Sequence, residues 1–162
     1  MGIEMTPISG LCPSCGAEIP SGGKCRDLFH ELSAYTITTG DERFIHQHAV
    51  DAYAAQHASE NPKPIATTAG LIGLYLFARK GWSGRRVQLA HMELGNRMKE
   101  WPALPPPRER AGLNVGTVLD APPGERRDGA IEDWARAVWA SWKNEHGRIE
   151  ALLEGPYRLR DR

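Results

Sequence analysis

Cys12-Pro13-Ser14-Cys15-Gly16 is a tight knuckle, and Cys25 follows it across a loop rich in Pro, Ser and Gly. A Cys-x-x-Cys turn presents two thiolates to one ion, and Gly16 permits the positive φ that such turns often need. The arm around it, residues 1–23, is interrupted by Pro7, Gly10, Pro13, Gly16, Pro20, Gly22 and Gly23. No regular element survives that density of breakers, so the arm reads as loop. An arm of this kind needs a staple, and a metal supplies one. The chain has three cysteines, an odd count that would leave one over in a closed disulfide framework. Two thiols at knuckle spacing with a third nearby make a zinc site that lacks one ligand. The competing reading is three thiols with no metal, which a reducing compartment makes less attractive.

Beyond the arm the pattern is helical. Cys25, Leu28, Phe29, Leu32 and Tyr35 recur at helical spacing over residues 24–37, with Gly40 as the stop. Asp41 then caps a second helix to about Ala58, and Ser59 to Pro64 breaks it. A third helix, 65–80, is the most apolar segment. Gly70 and Gly73 lower its propensity and fit only if another helix packs closely there. A fourth runs from Ser83 to about Glu100. The run Pro102-Ala103-Leu104-Pro105-Pro106-Pro107 is a stiff connector, and residues 112–121 read as a short strand or an extended strap. Ile131, Trp134, Val138, Trp142, Ile149 and Leu152 repeat at three and four and predict one long helix, 128–153. The basic tail from Tyr157 reads as frayed. The expectation is an all-α bundle of about five helices with an N-terminal, loop-rich zinc knuckle. It is organised as one domain: arm 1–23, four-helix region 24–100, Pro-rich connector 101–127 and C-terminal helix 128–154.

Composition narrows the function classes. Twenty Lys and Arg oppose twenty Asp and Glu over 162 residues, a formal net charge of zero. That balance gives no electrostatic footprint for a polyanion, so nucleic acid is not an expected partner. The longest apolar stretch, Ala69 to Ala78, is about half of the roughly 20 residues needed to span a bilayer. No signal-like segment opens the chain. A cytoplasmic protein without a membrane partner is expected, acting on a small molecule or a protein, with a homodimer as one form. Trp139 lies off the main apolar stripe and is placed to meet a partner subunit or ligand.

Helix geometry selects the fourth ligand. If the first two helices form an antiparallel hairpin, Cys25 at the start of one lies beside His57 at the end of the other. His46 is 11 residues earlier, roughly 16 Å along the axis, so His46 and His57 cannot share an ion. Cys12, Cys15, Cys25 and His57 then form a closed Cys3His set, the habit of structural zinc. His30 is the rival, although it sits about 140° around the helix from Cys25.

These residues carry a resemblance. CPSCG, then Cys25 with Phe29, then HQHAVDAYAAQH with His46, Val50, Asp51, Tyr53, Gln56 and His57, resemble an uncharacterised bacterial family of small proteins. Trp134, Val138, Trp139 and Trp142 fit the same pattern. The resemblance implies a fold and a metal, and no reaction.

A second polar cluster suggests the alternative, a small zinc-dependent enzyme of hydrolase or lyase type. His46 and Asp51 could face a cleft with His91, supplying acid, base or further ligands. The plainer reading makes His46 a core histidine and pairs Asp51 with an arginine such as Arg79. His48 and His146 read as solvated. No Gly-x-Ser-x-Gly or phosphate-loop spacing supports nucleophilic or nucleotide chemistry.

Overall fold

The computed structural model describes residues 8–39, 43–61 and 63–160. It is mostly helical, with one small sheet. Strands β1 (Ile8–Leu11) and β2 (Glu18–Pro20) precede α1 (Cys25–Thr39), α2 (Ile45–Gln56), α3 (Pro64–Ala78), α4 (Gly84–Arg97), α5 (Val115–Asp120), α6 (Glu125–Ser141) and α7 (His146–Glu154). Among the described residues no helix is long and apolar enough to cross a membrane.

The arm is therefore more regular than its breakers suggest. β1 and β2 pair antiparallel, with Gly10 opposite Ile19 and Leu11 opposite Glu18. The knuckle forms the turn between them. Gly16 N–H donates to Cys12 O and Cys12 N–H to Ala17 O, both at 2.8 Å, and Gly16 takes φ +81°. A two-stranded hairpin is marginal in water, so it depends on what lies against it.

α1 and α2 form the antiparallel hairpin. The pairing is visible at both ends: Thr36 hydrogen-bonds His46 at 2.8 Å, and Cys25 meets His57 at 3.4 Å. α2 is the central element and touches α1, α3, α4 and α6. It starts at Ile45, after Phe44 in the left-handed region (φ 49°, ψ 58°). The expected cap Asp41 and stop Gly40 lie outside the described residues. Where α2 meets α3, Gly70 and Gly73 serve the close approach that their placement in an apolar helix predicts. A Cβ on Gly70 would stand 2.9 Å from Asp51 O and 3.4 Å from Ala54 Cβ, tighter than a side chain accepts.

The connector and the last helix depart from the expectation. Residues 112–121 are neither strand nor strap throughout, because Asn114 caps α5. Its side chain accepts from Thr117 N–H at 3.1 Å, and Thr117 Oγ1 accepts from Asn114 N–H at 2.9 Å. This reciprocal box satisfies two donors at the helix start. The long C-terminal helix is two helices. α6 ends at Ser141 with Trp142 as its C-cap, residues 143–145 form a 3-10 turn, and α7 begins at His146. His146 Nε2–H donates to Trp139 O at 2.7 Å while its ring stacks on the Trp139 indole at 3.7 Å. A side chain thus takes a carbonyl that a continuing helix would use.

His146 is accordingly not a solvated residue. Neither is His48, which is buried on α2 against Phe77, with ring centroids 4.1 Å apart. Burial, with the Arg136 charge adding to it, depresses the His48 imidazole to about 4, so the ring is neutral at pH 7. Trp139 is buried between Tyr75 and His146 rather than presented outward. The tail is docked as far as Arg160: Arg97 donates to Arg158 O at 2.7 Å, and Tyr157 N–H donates to Leu152 O at 2.9 Å.

Candidate metal centre

Cys12 leaves β1, Cys15 lies in the knuckle, Cys25 opens α1 and His57 closes α2. The antiparallel hairpin brings the last two together, and the arm folds back to deliver the first two. All four are buried, and their ligand atoms lie within 4.8 Å of one another. The recorded separations are 3.7 Å for Cys12 Sγ to His57 Nε2, 3.4 Å for Cys25 Sγ to His57 Nε2, and 3.6 Å for Cys15 Sγ to Cys25 Sγ. A disulfide would require sulfurs about 2.05 Å apart, and all three cysteines are free thiols.

These spacings test whether a metal fits. Zinc bonds of about 2.3 Å to sulfur and about 2.0–2.1 Å to nitrogen, at tetrahedral angles, place sulfurs about 3.8 Å apart and sulfur about 3.6 Å from nitrogen. These three of the six edges lie within about 0.2 Å of those values, and the others are no longer than 4.8 Å. Soft sulfur donors with one imidazole are also the set that selects zinc over hard, oxygen-seeking cations.

The surrounding residues orient the ligands. His57 Nδ1–H donates to Tyr53 O at 2.9 Å, which fixes the tautomer and leaves the Nε2 lone pair for an ion. Its ring stacks on Tyr53 at 3.9 Å, and Tyr53 stacks on Phe29 at 4.2 Å. The four-residue step from Tyr53 to His57 therefore does two things: the carbonyl holds the ring nitrogen and the phenol ring supports the imidazole face.

Without a metal the paired thiols Cys15 and Cys25 shift in opposite directions. The Cys25 thiol hydrogen-bonds the Cys15 sulfur and pulls it down to about 4, against the upward push of burial, with His57 adding to the decrease. Cys25 is pushed up by the same hydrogen bond, by burial and by the charge of Cys15. Burial pulls the His57 imidazole down, but the Cys15 contact and the Tyr53 carbonyl outweigh it and the net shift is upward. The thiols thus share their protons, and a divalent cation would replace them.

The other sequence candidates fall elsewhere. His30 is exposed on α1. His46 spends Nδ1 on Thr36. Asp51 and His91 do meet, across the α2–α4 seam: His91 Nε2–H lies 3.1 and 3.2 Å from the two carboxylate oxygens, and Gln47 donates to Oδ1 at 3.0 Å. Arg79 is not the partner of Asp51; it pairs with Glu150 at 3.3 Å. Burial raises the Asp51 carboxyl, with the His91 contacts opposing.

Sequence reasoning missed how the arm is held from the far side. Arg110 donates to Pro13 O at 3.0 Å and lies along Gly16, where a Cβ would come 3.3 Å from its Nη1. Asn114 reaches Cys15 O at 3.5 Å. Gln56, next to the ligand His57, donates to Leu113 O at 2.7 Å and accepts from the Trp134 indole N–H at 2.9 Å. No local pattern announces pairings this distant.

His57→Ala should weaken metal binding by orders of magnitude, whereas His30→Ala should leave it unchanged. A competition titration against a chromogenic chelator reads both, and the reverse order would place the fourth ligand on α1.

A family described as of unknown function, DUF5946, matches residues 10–143. No curated protein and no solved structure matches the chain.

Proposed function

We propose, for a chain that belongs to this family of unknown function, a zinc-stapled helical scaffold whose metal is structural. The observation that carries the reading is the buried Cys12, Cys15, Cys25 and His57 cluster. Four protein ligands complete a tetrahedron and leave no open position for water or substrate, which separates structural from catalytic zinc. Cys12, Cys15, Cys25 and His57 would hold the ion. It would fasten the β1–β2 arm to the α1–α2 hairpin, and the chemistry it supplies is charge neutralisation of thiolates. The scaffold reading assigns the protein a binding role toward a small molecule or a protein.

The enzyme alternative rests on His46, Asp51 and His91. Of these only Asp51 and His91 meet, inside a helix seam where Gln47 also donates to the Asp51 carboxylate. That arrangement suits packing better than an acid–base site, which must keep a proton position open to substrate.

Purified protein should carry one zinc per chain by elemental analysis. Cobalt replacement should give the visible absorption of a tetrahedral thiolate site, and Cys25→Ser should alter that spectrum. A five- or six-coordinate cobalt spectrum would overturn the closed-site reading.

A further inference from the structure

The Pro-rich connector spans a gap rather than packing into it. A cavity of about 710 Å³ lies between residues 105–111 and the end of α6 with the 3-10 turn after it. A neighbouring cavity of about 550 Å³ shares the same strap and reaches Pro13 and Ser14 of the knuckle. Two features keep this groove open. Pro105, Pro106 and Pro107 have no N–H with which to bond to a helix, and they hold an extended backbone. The strap is also pinned at both ends: Thr68 donates to Pro102 O at 2.7 Å, while Arg110 is bonded to Pro13 O. Opposite, α6 presents Ala137 and Ala140, which fill little of the space.

The lining has a sign. Arg108, Arg110 and Lys143 stand against Glu109 and Glu145. Glu145 lies 3.4 Å from the exposed Arg148, a residue outside the lining, but its Oε1 is buried and accepts no hydrogen bond among the described residues. Arg110 bonds a neutral carbonyl and keeps its charge. Among the described residues, neither Arg108 on the strap nor Lys143 on the opposite wall is in an ion pair. The groove therefore joins a small excess of positive charge, three cations to two carboxylates, to apolar walls of proline and alanine.

The geometry points to a binding site for a small organic anion, a carboxylate, sulfonate or phosphomonoester on a flat or apolar body. The volume lies in the range of small-molecule sites, and a preformed wall reduces the ordering that binding requires. The apolar body would lie against the prolines and Ala140, and the anionic group would sit between Arg108 and Lys143. The walls come from the strap and α6, and no candidate metal ligand lines the cavity, although one anchor of the strap, Pro13 O, lies in the knuckle.

The test uses the full chain and two fluorescent probes that share their rings: 1-anilinonaphthalene-8-sulfonate, and N-phenyl-1-naphthylamine, which lacks the sulfonate. The sulfonate should bind saturably, one per chain. Arg108→Glu with Lys143→Glu should weaken it by at least about tenfold, with little change for the neutral probe. Ala140→Trp, an exposed position on α6, should fill the groove and remove binding of both probes, with an unchanged melting curve showing that the fold is intact. Sulfonate binding that ignores both the charge reversal and the filled groove would overturn the proposal. Equal weakening of both probes by charge reversal would overturn its anionic part. Displacement of the sulfonate by a poly-glutamate peptide but not by benzoate or phenyl phosphate would transfer the groove to an acidic protein partner and overturn the small-molecule assignment.

Discussion

Stripping the metal with a chelator, or replacing Cys15 by Ser, should lower the melting temperature by roughly 10 °C or more, equivalent to about 3 kcal/mol for a chain of this size. The reason lies in what the arm has without it. β1 and β2 form a single hairpin, which is marginal alone. The side-chain ties that remain from knuckle to body, among the described residues, are the Arg110 bond to Pro13 O, the long Asn114 contact to Cys15 O, and Ser14 Oγ on the exposed Glu60 carboxylate and Ser59 hydroxyl. Removing the ion would leave three thiols and an imidazole buried together, their mutual hydrogen bonds replacing much stronger metal–ligand bonds. The loss should also be local. Amide exchange should accelerate from Gly10 to Gly23, at the start of α1 and at the end of α2, while the α6 amides around Trp134 keep their protection. A melting curve that is unchanged after elemental analysis confirms metal removal would refute the staple.

Gly73→Ala should cost about 3 kcal/mol, which for this length is roughly 6–12 °C in melting temperature. In an exposed helix the same change is favourable by up to about 1 kcal/mol. Here the new Cβ would fall inside the Asp51 carboxylate and 2.8 Å from His91 Nε2. Asp51 is 3% exposed and cannot swing into solvent, so either its hydrogen bonds to His91 break or α3 moves away from α2. Gly129→Ala on α6 is the contrast, because nothing lies within 4 Å of its Cβ position; it should be neutral or stabilising. Combining Gly73→Ala with Asp51→Ala should cost less than the two changes summed, since the second removes the obstacle that the first meets. Strict additivity would show that the carboxylate is not what the added methyl strikes.

The parts of the structure that were legible in the sequence are those with a local chemical or periodic signature. The Cys12/Cys15 knuckle announces itself by spacing. His57 follows from one assumption, an antiparallel hairpin, and from the rise per residue that excludes His46 as a co-ligand. The glycines in α3 signal close packing because nothing else justifies them in so apolar a helix. Other features were hidden for identifiable reasons. The Asn114-Val115-Gly116-Thr117 cap is a local signal, but the alternation around it imitates a strand. The break between α6 and α7 leaves the three-and-four spacing intact on either side, and it is made by His146 reaching back to the Trp139 carbonyl. His48 reads as solvated because its helix has a polar strip, yet α2 is surrounded by other helices and has little outward face. The strap's anchor, Arg110 on Pro13 O, joins residues 97 apart, and no pattern within a window can reveal it.

The positions of the ligands carry a consequence for synthesis. All four belong to the first 57 residues, whereas Trp134, Trp139 and Trp142, which fill much of the core, come last. A chain made from its N-terminus exposes the whole ligand set well before those tryptophans exist, and N-terminal regions fold first during synthesis. The hairpin of α1 and α2 can therefore be closed around an ion while the helices that will bury it are still being made. The strap arrives later and finds Pro13 O and Cys15 O already in place as acceptors for Arg110 and Asn114. Metal supply would then act on the nascent chain, at the moment when an unclosed hairpin has the least other structure to hold it.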